Sequence, residues 1–250
     1  MSETGPETTV QGKKCRVMGI LNATPDSFSD GGRFADPEAA IRQAAAMVAD
    51  GADIIDVGGE STRPGATPLS WEDEWRRIEP VLKGMNSQLS TLNFKLSVDT
   101  YHPETAERAV ALGATIVNCV YPEPILDMLR ICAKNGAELV IPSKSFGSVP
   151  KSFGSVPIYL DPMIGFGTTR EEDLALLRSV PELARKGRVL VGASRKRIVR
   201  TLAGETSTAS LLGGDIAIAL WGMENGASIV RVHDVKEVAQ ALRVYRQIRG

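Results

Sequence analysis

The sequence predicts an α/β protein, a (β/α)8 TIM barrel, on three observations. Short apolar runs without polar alternation recur about eight times, as parallel strands buried on both faces require. Helical patterns separate most of these runs. The chain has 250 residues, and one such barrel typically takes about 250. A doubly wound open sheet is the runner-up. It would carry a glycine-rich fingerprint after its first strand, and "GILNATPDSF" has none.

Each element follows in chain order. Residues 1–13 lack an apolar core and read as a disordered lead-in, so one barrel domain is expected over 14–250. "CRVMGILN" is the first strand. Asp36 and Pro37 hold the cap and first-turn positions of a helix over "EAAIRQAAAMVAD". Gly51 fits the left-handed position that ends it, and "ADIIDVGG" is the second strand. "FKLSVDT" is the third. His102 and Pro103 open "ETAERAVAL" in the same manner, Gly113 closes it, and "TIVNCV" is the fourth strand. Pro124 opens "ILDMLRICAKN", Gly136 closes it, and "AELVIPS" is the fifth strand.

A crossover helix is due next. The chain instead reads "KSFGSVPKSFGSVP", a perfect tandem copy of one heptapeptide. Gly and Pro in each copy argue against a helix, so a loop is expected and the barrel is irregular around its fifth strand and helix. "PIYLDP" is the sixth strand. "REEDLALLRSV" reads as one helix with its acids in the first turn, where the helix dipole favours them. "RVLVGASRK" is the seventh strand. Gly226 ends a helical stretch before the eighth, "SIVRVHD", and "DVKEVAQALRVYRQI" is the last helix.

Charge and composition exclude some partners. A net charge of -1 gives no bulk attraction for nucleic acid or an anionic membrane. An aromatic content of 5% argues against base-stacking surfaces. No stretch reaches the roughly 20 apolar residues needed to span a bilayer. Cys15, Cys119 and Cys132 are odd in number and show no metal-ligand spacing. They read as reduced thiols in the core of a cytoplasmic protein.

The active site of such a barrel lies at the carboxyl ends of its strands. Those ends read Asn22; Glu60, Thr62 and Arg63; Asp99; Asn118; Asp161; Ser194, Arg195 and Lys196; then Arg231, His233 and Asp234. Taken singly, Asp99 or Asn118 serves equally well as a helix cap, and Arg63 as a solvated loop charge. Taken together, so many polar strand ends point to a pocket. Asp99, Asn118 and Asp161 offer acceptors for a flat heterocycle with a guanidine-like edge. Lys196 donates to a ring carbonyl or ring nitrogen. Arg63, Arg231 and His233, with Asn22 nearby, suit a phosphate or diphosphate. Asn22 also offers an oxygen to Mg²⁺ shared with the phosphates. A ring joined to a diphosphate suggests an activated substrate with pyrophosphate as leaving group. The loops "ATPDSFSDGGRFADP" and "GESTRPGATPLS" read as lids that exclude water.

The motifs "GILNATPDSFSDGG", "GADIIDVGGESTRPG", "LSVDT", "LDPMIGFG", "GASRKR" and "IVRVHDV" together resemble the dihydropteroate synthase family. The resemblance runs from about Cys15 to the C-terminus and is weak between Cys119 and Pro157. It implies a (β/α)8 barrel, usually a homodimer. It implies condensation of 6-hydroxymethyl-7,8-dihydropterin diphosphate with p-aminobenzoate, with Mg²⁺, and sulfonamides as inhibitors. By resemblance, Asp99, Asn118, Asp161, Lys196 and Arg231 hold the pterin, and Asn22, Arg63, Arg231 and His233 the diphosphate. Thr62, Arg63, Pro64, Phe166, Lys196 and Arg197 shape the p-aminobenzoate site. Asp99, Lys196 and Arg63 are the catalytic set, and Asn22 the metal ligand. A dimer through the late helices, near "SLLGGDIAIALWGM", is implied in the same way.

Departures from the family pattern cluster on the second-substrate side. Cys119 stands where the family has an acid. The methionine-histidine block after the fifth strand is replaced by "VIPSKSFG". Met163 replaces a glycine, Thr168 a lysine, and Arg197 a serine that commonly meets the p-aminobenzoate carboxylate. Arg197 either pairs with that carboxylate or narrows the site for another acceptor. Two other readings fit a related barrel: a pterin-binding paralogue without turnover, and a pterin-dependent methyltransferase, in which the diphosphate-binding arginines would be idle.

Overall fold

The computed structural model describes residues 15–24, 36–60, 67–205, 207 and 210–249. The predicted lead-in over residues 1–13 lies outside them. Eight strands form one closed, wholly parallel barrel in sequence order. They are β1 Arg16–Asn22, β2 Ile54–Gly58, β3 Lys95–Asp99, β4 Ile116–Asn118, β5 Glu138–Pro142, β6 Ile158–Asp161, β7 Arg188–Val191 and β8 Ile229–Val232. β8 closes on β1 with Val17 opposite Val230. The helices are α1 Pro37–Asp50, α2 Trp71–Gln88, α3 Pro103–Ala111, α4 Ile125–Asn135, α5 Arg170–Arg178, α6 Val180–Lys186, α7 Arg197–Ala203, α8 Leu212–Glu224 and α9 Val235–Arg249.

Local chemistry explains the junctions. The Asp36 side chain accepts from the Glu38 amide at the start of α1, with Pro37 in its first turn. Gly51, Gly113, Gly136 and Gly226 all carry the positive φ expected of them, which lets each helix turn sharply into the next strand. Thr169 and Glu172 form a reciprocal capping box at α5. His102 departs from expectation: its side chain makes no cap, and Thr100 Oγ1 accepts its amide instead. "REEDLALLRSV" also differs, because the helix breaks at Ser179 and restarts as α6 with Pro181 in its first turn. A proline is tolerated there because first-turn amides have no partner inside the helix.

Side chains inside the barrel stack in layers. The lowest is polar. Arg16, Lys95, Glu138 and Arg188 open β1, β3, β5 and β7. Glu138 accepts from Lys95 at 2.7 Å and from the Tyr159 hydroxyl at 2.8 Å, and Arg188 donates to that hydroxyl at 3.2 Å. Above it Met18, Ile54, Ile116, Val140, Leu190 and Ile229 form a dry apolar layer with Tyr159. A second, larger core lies between strands and helices, around Leu21, Val57, Ile78, Leu82, Leu139 and Val230.

The expected irregularity is present. Between β5 and β6 the chain makes two short 3-10 turns, Ser143–Ser148 and Lys151–Phe153, in place of a helix. The two identical heptapeptides behave differently. Phe146 of the first is 36% exposed, while Phe153 of the second packs on the core and Val156 is buried. β7 is shorter than expected, ending at Val191. "GASRK" forms a loop in which Arg195 has a φ of 58.

Candidate active site

The inward-facing residues change character at the carboxyl ends of the strands. Arg231 on β8 stands at the centre. Its Nε donates to Asp56 Oδ2 at 2.6 Å, and its Nη2 to Asp99 Oδ2 at 2.5 Å. Asp56 is completely buried. It also accepts from Ser97 Oγ at 2.5 Å and from Asn118 Nδ2 at 3.0 Å. Asp99 sits between Gly58 and Asn118 in the ladder. Neither Asp99 nor Asn118 caps a helix; both face the pocket network. Asn118 Oδ1 is buried and has no hydrogen-bond partner among the described residues.

Asp161 ends β6 and accepts the Met163 amide at 2.7 Å. Lys196 precedes α7 and reaches back to the Ile164 carbonyl at 2.5 Å. Its ammonium lies 4.4 Å from the centre of the Phe166 ring, a cation–π contact. Arg197 is more exposed and donates to the Thr168 carbonyl, with the Asp173 carboxylate 3.9 Å away. Asn22 ends β1 opposite Gly58. His233 follows β8 against Ser194. Glu60 is held by the Tyr101 hydroxyl, and Arg195 pairs with Asp234 at 2.6 Å. Thr62, Arg63 and Pro64 lie outside the described residues.

Burial shapes the electrostatics. It pushes Asp99 up to about 7, with Arg231 pulling back and Asp56 adding to the rise. It raises Asp161 as well, against the pull of Lys196. It lowers Lys196 to about 8, although Asp161 opposes that shift. Burial also works against the Arg231 charge, but Asp99 and Asp56 outweigh it and push its pKa up. The centre is thus one fixed cation among carboxylates, beside a lysine near its titration point. All three cysteines are buried, and burial pushes each up to about 12. None is poised as a nucleophile.

Of the residues expected at the site, the fold brings together Asp99, Asn118 and Arg231 in one network and Lys196 and Phe166 in one contact, while Arg197 turns to Thr168 and Asp173. Asp56 escaped the sequence reading. Its signal was a lone acid inside the apolar run "IIDVG", where a carboxylate needs a buried partner.

A closed barrel whose mouth holds acceptors, a buried lysine and a carboxylate-clamped arginine defines a barrel protein suited to binding a flat polar ring. Comparison with known proteins narrows this class. The family model for pterin binding enzymes matches residues 18–153 and 148–233. Dihydropteroate synthase of Synechocystis is 37% identical over 93% of this chain and 90% of its own. The crystal structure of dihydropteroate synthase from Clostridium difficile in the presence of pteroic acid superposes with a TM-score of 0.86 at 38% identity, covering 95% and 97% of the two chains. That from Xanthomonas albilineans with 4-aminobenzoic acid gives 0.84 at 34%, covering 95% and 94%. The chain belongs to the dihydropteroate synthase family of pterin-binding transferases.

Proposed function

We propose that the chain condenses 6-hydroxymethyl-7,8-dihydropterin diphosphate with p-aminobenzoate, giving dihydropteroate and pyrophosphate in folate synthesis. The observation that carries the reading is the buried Asn118 Oδ1, which no described residue partners. A buried acceptor without a donor costs about 1–3 kcal/mol, which a ligand N–H would recover. Asp161 supplies a second acceptor and Lys196 a donor, which suits the amino-pyrimidinone edge of a pterin. Arg231 keeps Asp56 and Asp99 in place while contributing positive charge beside the ring.

The reaction needs no protein nucleophile. Arg63, Arg231 and His233 hold the diphosphate and stabilise the charge that builds as it departs. Asp99, once ionised, offsets positive charge on the pterin methylene. The arylamine then attacks that carbon. Phe166 packs on its ring, Thr62 and Pro64 shape the slot, and Arg197 receives its carboxylate.

Mg²⁺ fits the donor set. It binds through one or two protein oxygens plus substrate phosphates, and the described residues contain no group of three or more His, Cys, Asp or Glu able to cage an ion alone. Asn22, at the end of β1, would be the protein ligand. Bound there, Mg²⁺ would neutralise charge on the leaving pyrophosphate.

Sulfonamides, as arylamine mimics, are expected inhibitors. A homodimer is expected through α7, α8 and α9, where Leu202, Leu212, Trp221, Val244 and Ile248 are all exposed. Sedimentation as a monomer at high concentration would rule it out. Three buried free thiols suit a reducing, cytoplasmic setting. No described helix is long and apolar enough to cross a membrane.

The test is pyrophosphate release from the pterin diphosphate with Mg²⁺, with and without p-aminobenzoate. Release that requires p-aminobenzoate and yields dihydropteroate is the expected result. Release without it would reassign the acceptor. Tight pterin binding with no release would overturn turnover in favour of a binding paralogue.

A further inference from the structure

Asp215 lies in the first turn of α8, has no hydrogen bond to the Asp56–Asp99–Arg231 network among the described residues, and is nearly fully buried. It accepts the Arg195 amide with both oxygens, at 3.0 and 3.1 Å. Its Oδ2 also accepts the Ser194 hydroxyl at 2.9 Å. That hydroxyl in turn lies 3.1 Å from His233 Nδ1, and the His233 amide donates to it at 3.3 Å. The order is Asp–Ser–His. In a hydrolytic triad the carboxylate would touch the histidine and the serine would face substrate. Here Ser194 is buried between the other two, so it is no nucleophile.

Proton counting assigns the ring. A carboxylate only accepts, so the one Ser194 hydroxyl proton goes to Asp215. Ser194 Oγ then has only lone pairs to offer. Facing them, His233 Nδ1 must carry a hydrogen, which leaves Nε2 as the acceptor in the neutral ring.

We propose that Asp215 is a positioning residue that acts through Ser194 to hold His233 in its Nδ1–H form and, through the Arg195 amide, fixes the loop that carries Lys196 and Arg197. Two strand ends are thereby tied to one carboxylate. In this form Nε2 donates to a phosphate oxygen only when the ring has gained its second proton. That consequence rests on the diphosphate role of His233. The tautomer does not.

The chain has two histidines, so long-range ¹H–¹⁵N spectra of histidine-labelled protein resolve the question, with His102→Asn assigning the signals. The expected result is an Nδ1–H ring for His233 in the unaltered chain. Ser194→Ala and Asp215→Ala should each shift it to Nε2–H, and Ser194→Thr should preserve it. In turnover, the two alanine variants should lose about tenfold in kcat/KM for the pterin diphosphate, while the threonine variant retains it. An Nε2–H ring in the unaltered chain would overturn the proposal, as would an unchanged tautomer in folded alanine variants. Absence of turnover with the Nδ1–H ring in place would count against the synthase reading alone.

Discussion

Met163 has a φ of 65, a conformation that costs a residue with a side chain about 1–2 kcal/mol. The family pattern has glycine there. Met163→Gly should therefore raise stability by about 1 kcal/mol, read as a higher melting temperature with unchanged activity. Asp99 predicts a pH dependence. Its pKa rises from the ordinary carboxylate value to about 7 because burial disfavours the charge. The folded state holds that proton more tightly, so the associated stability is present in acid and lost as pH climbs through about 7. Activity runs the other way on that limb. It needs ionised Asp99 and protonated Lys196, so kcat/KM should rise towards pH 7 and fall beyond about 8. Asp99→Asn should abolish the acid limb and cost roughly 100-fold or more in kcat. At this scale the clustering of Asp99, Asn118 and Arg231 was legible, because so many polar residues at the ends of apolar strands point together to one pocket. Asp56 was not, since nothing local marks which carboxylate within a strand will meet an arginine 175 positions along the chain.

Among the elements, the strands were the most readable, since apolar runs buried on both faces leave a continuous signal. β7 was overdrawn. The apolar run and the ladder both stop at Val191, and "GASRK" turns away as a loop whose Arg195 amide goes to Asp215. The split between α5 and α6 was hidden because "RSVPELARK" keeps helical spacing across Ser179. The β5–β6 crossover gives a direct test. Deleting one heptapeptide gives the same chain whichever copy is removed; it leaves one Phe and one Val to do the packing now shared by Val149, Phe153 and Val156, and shortens a connection that parallel strands need to be a dozen residues or more. The loss should be about 2–5 kcal/mol, measured by urea unfolding. Because the two copies are identical, the deletion leaves the local sequence at both junctions unchanged, and any effect comes from length and burial.

Among the described residues the molecule is a ring of eight strands fastened from outside by helices, with one crossover, β5 to β6, that carries no α-helix. Between β5 and β6 the crossover has two 3-10 turns where the others have a helix, and it is anchored by Phe153, at the end of the second turn, and by the buried Val156 beyond it. A closed ring spreads load evenly only when its fastening is even. Local opening follows the lowest density of buried apolar contact, so this arc should be the first to breathe. Backbone amides of Leu139, Val140 and Leu160 would then exchange with deuterated solvent ahead of those in β2 and β3, although both pairs sit equally deep in the static barrel. The seam where the barrel begins to come apart would be set by the heptapeptide pair.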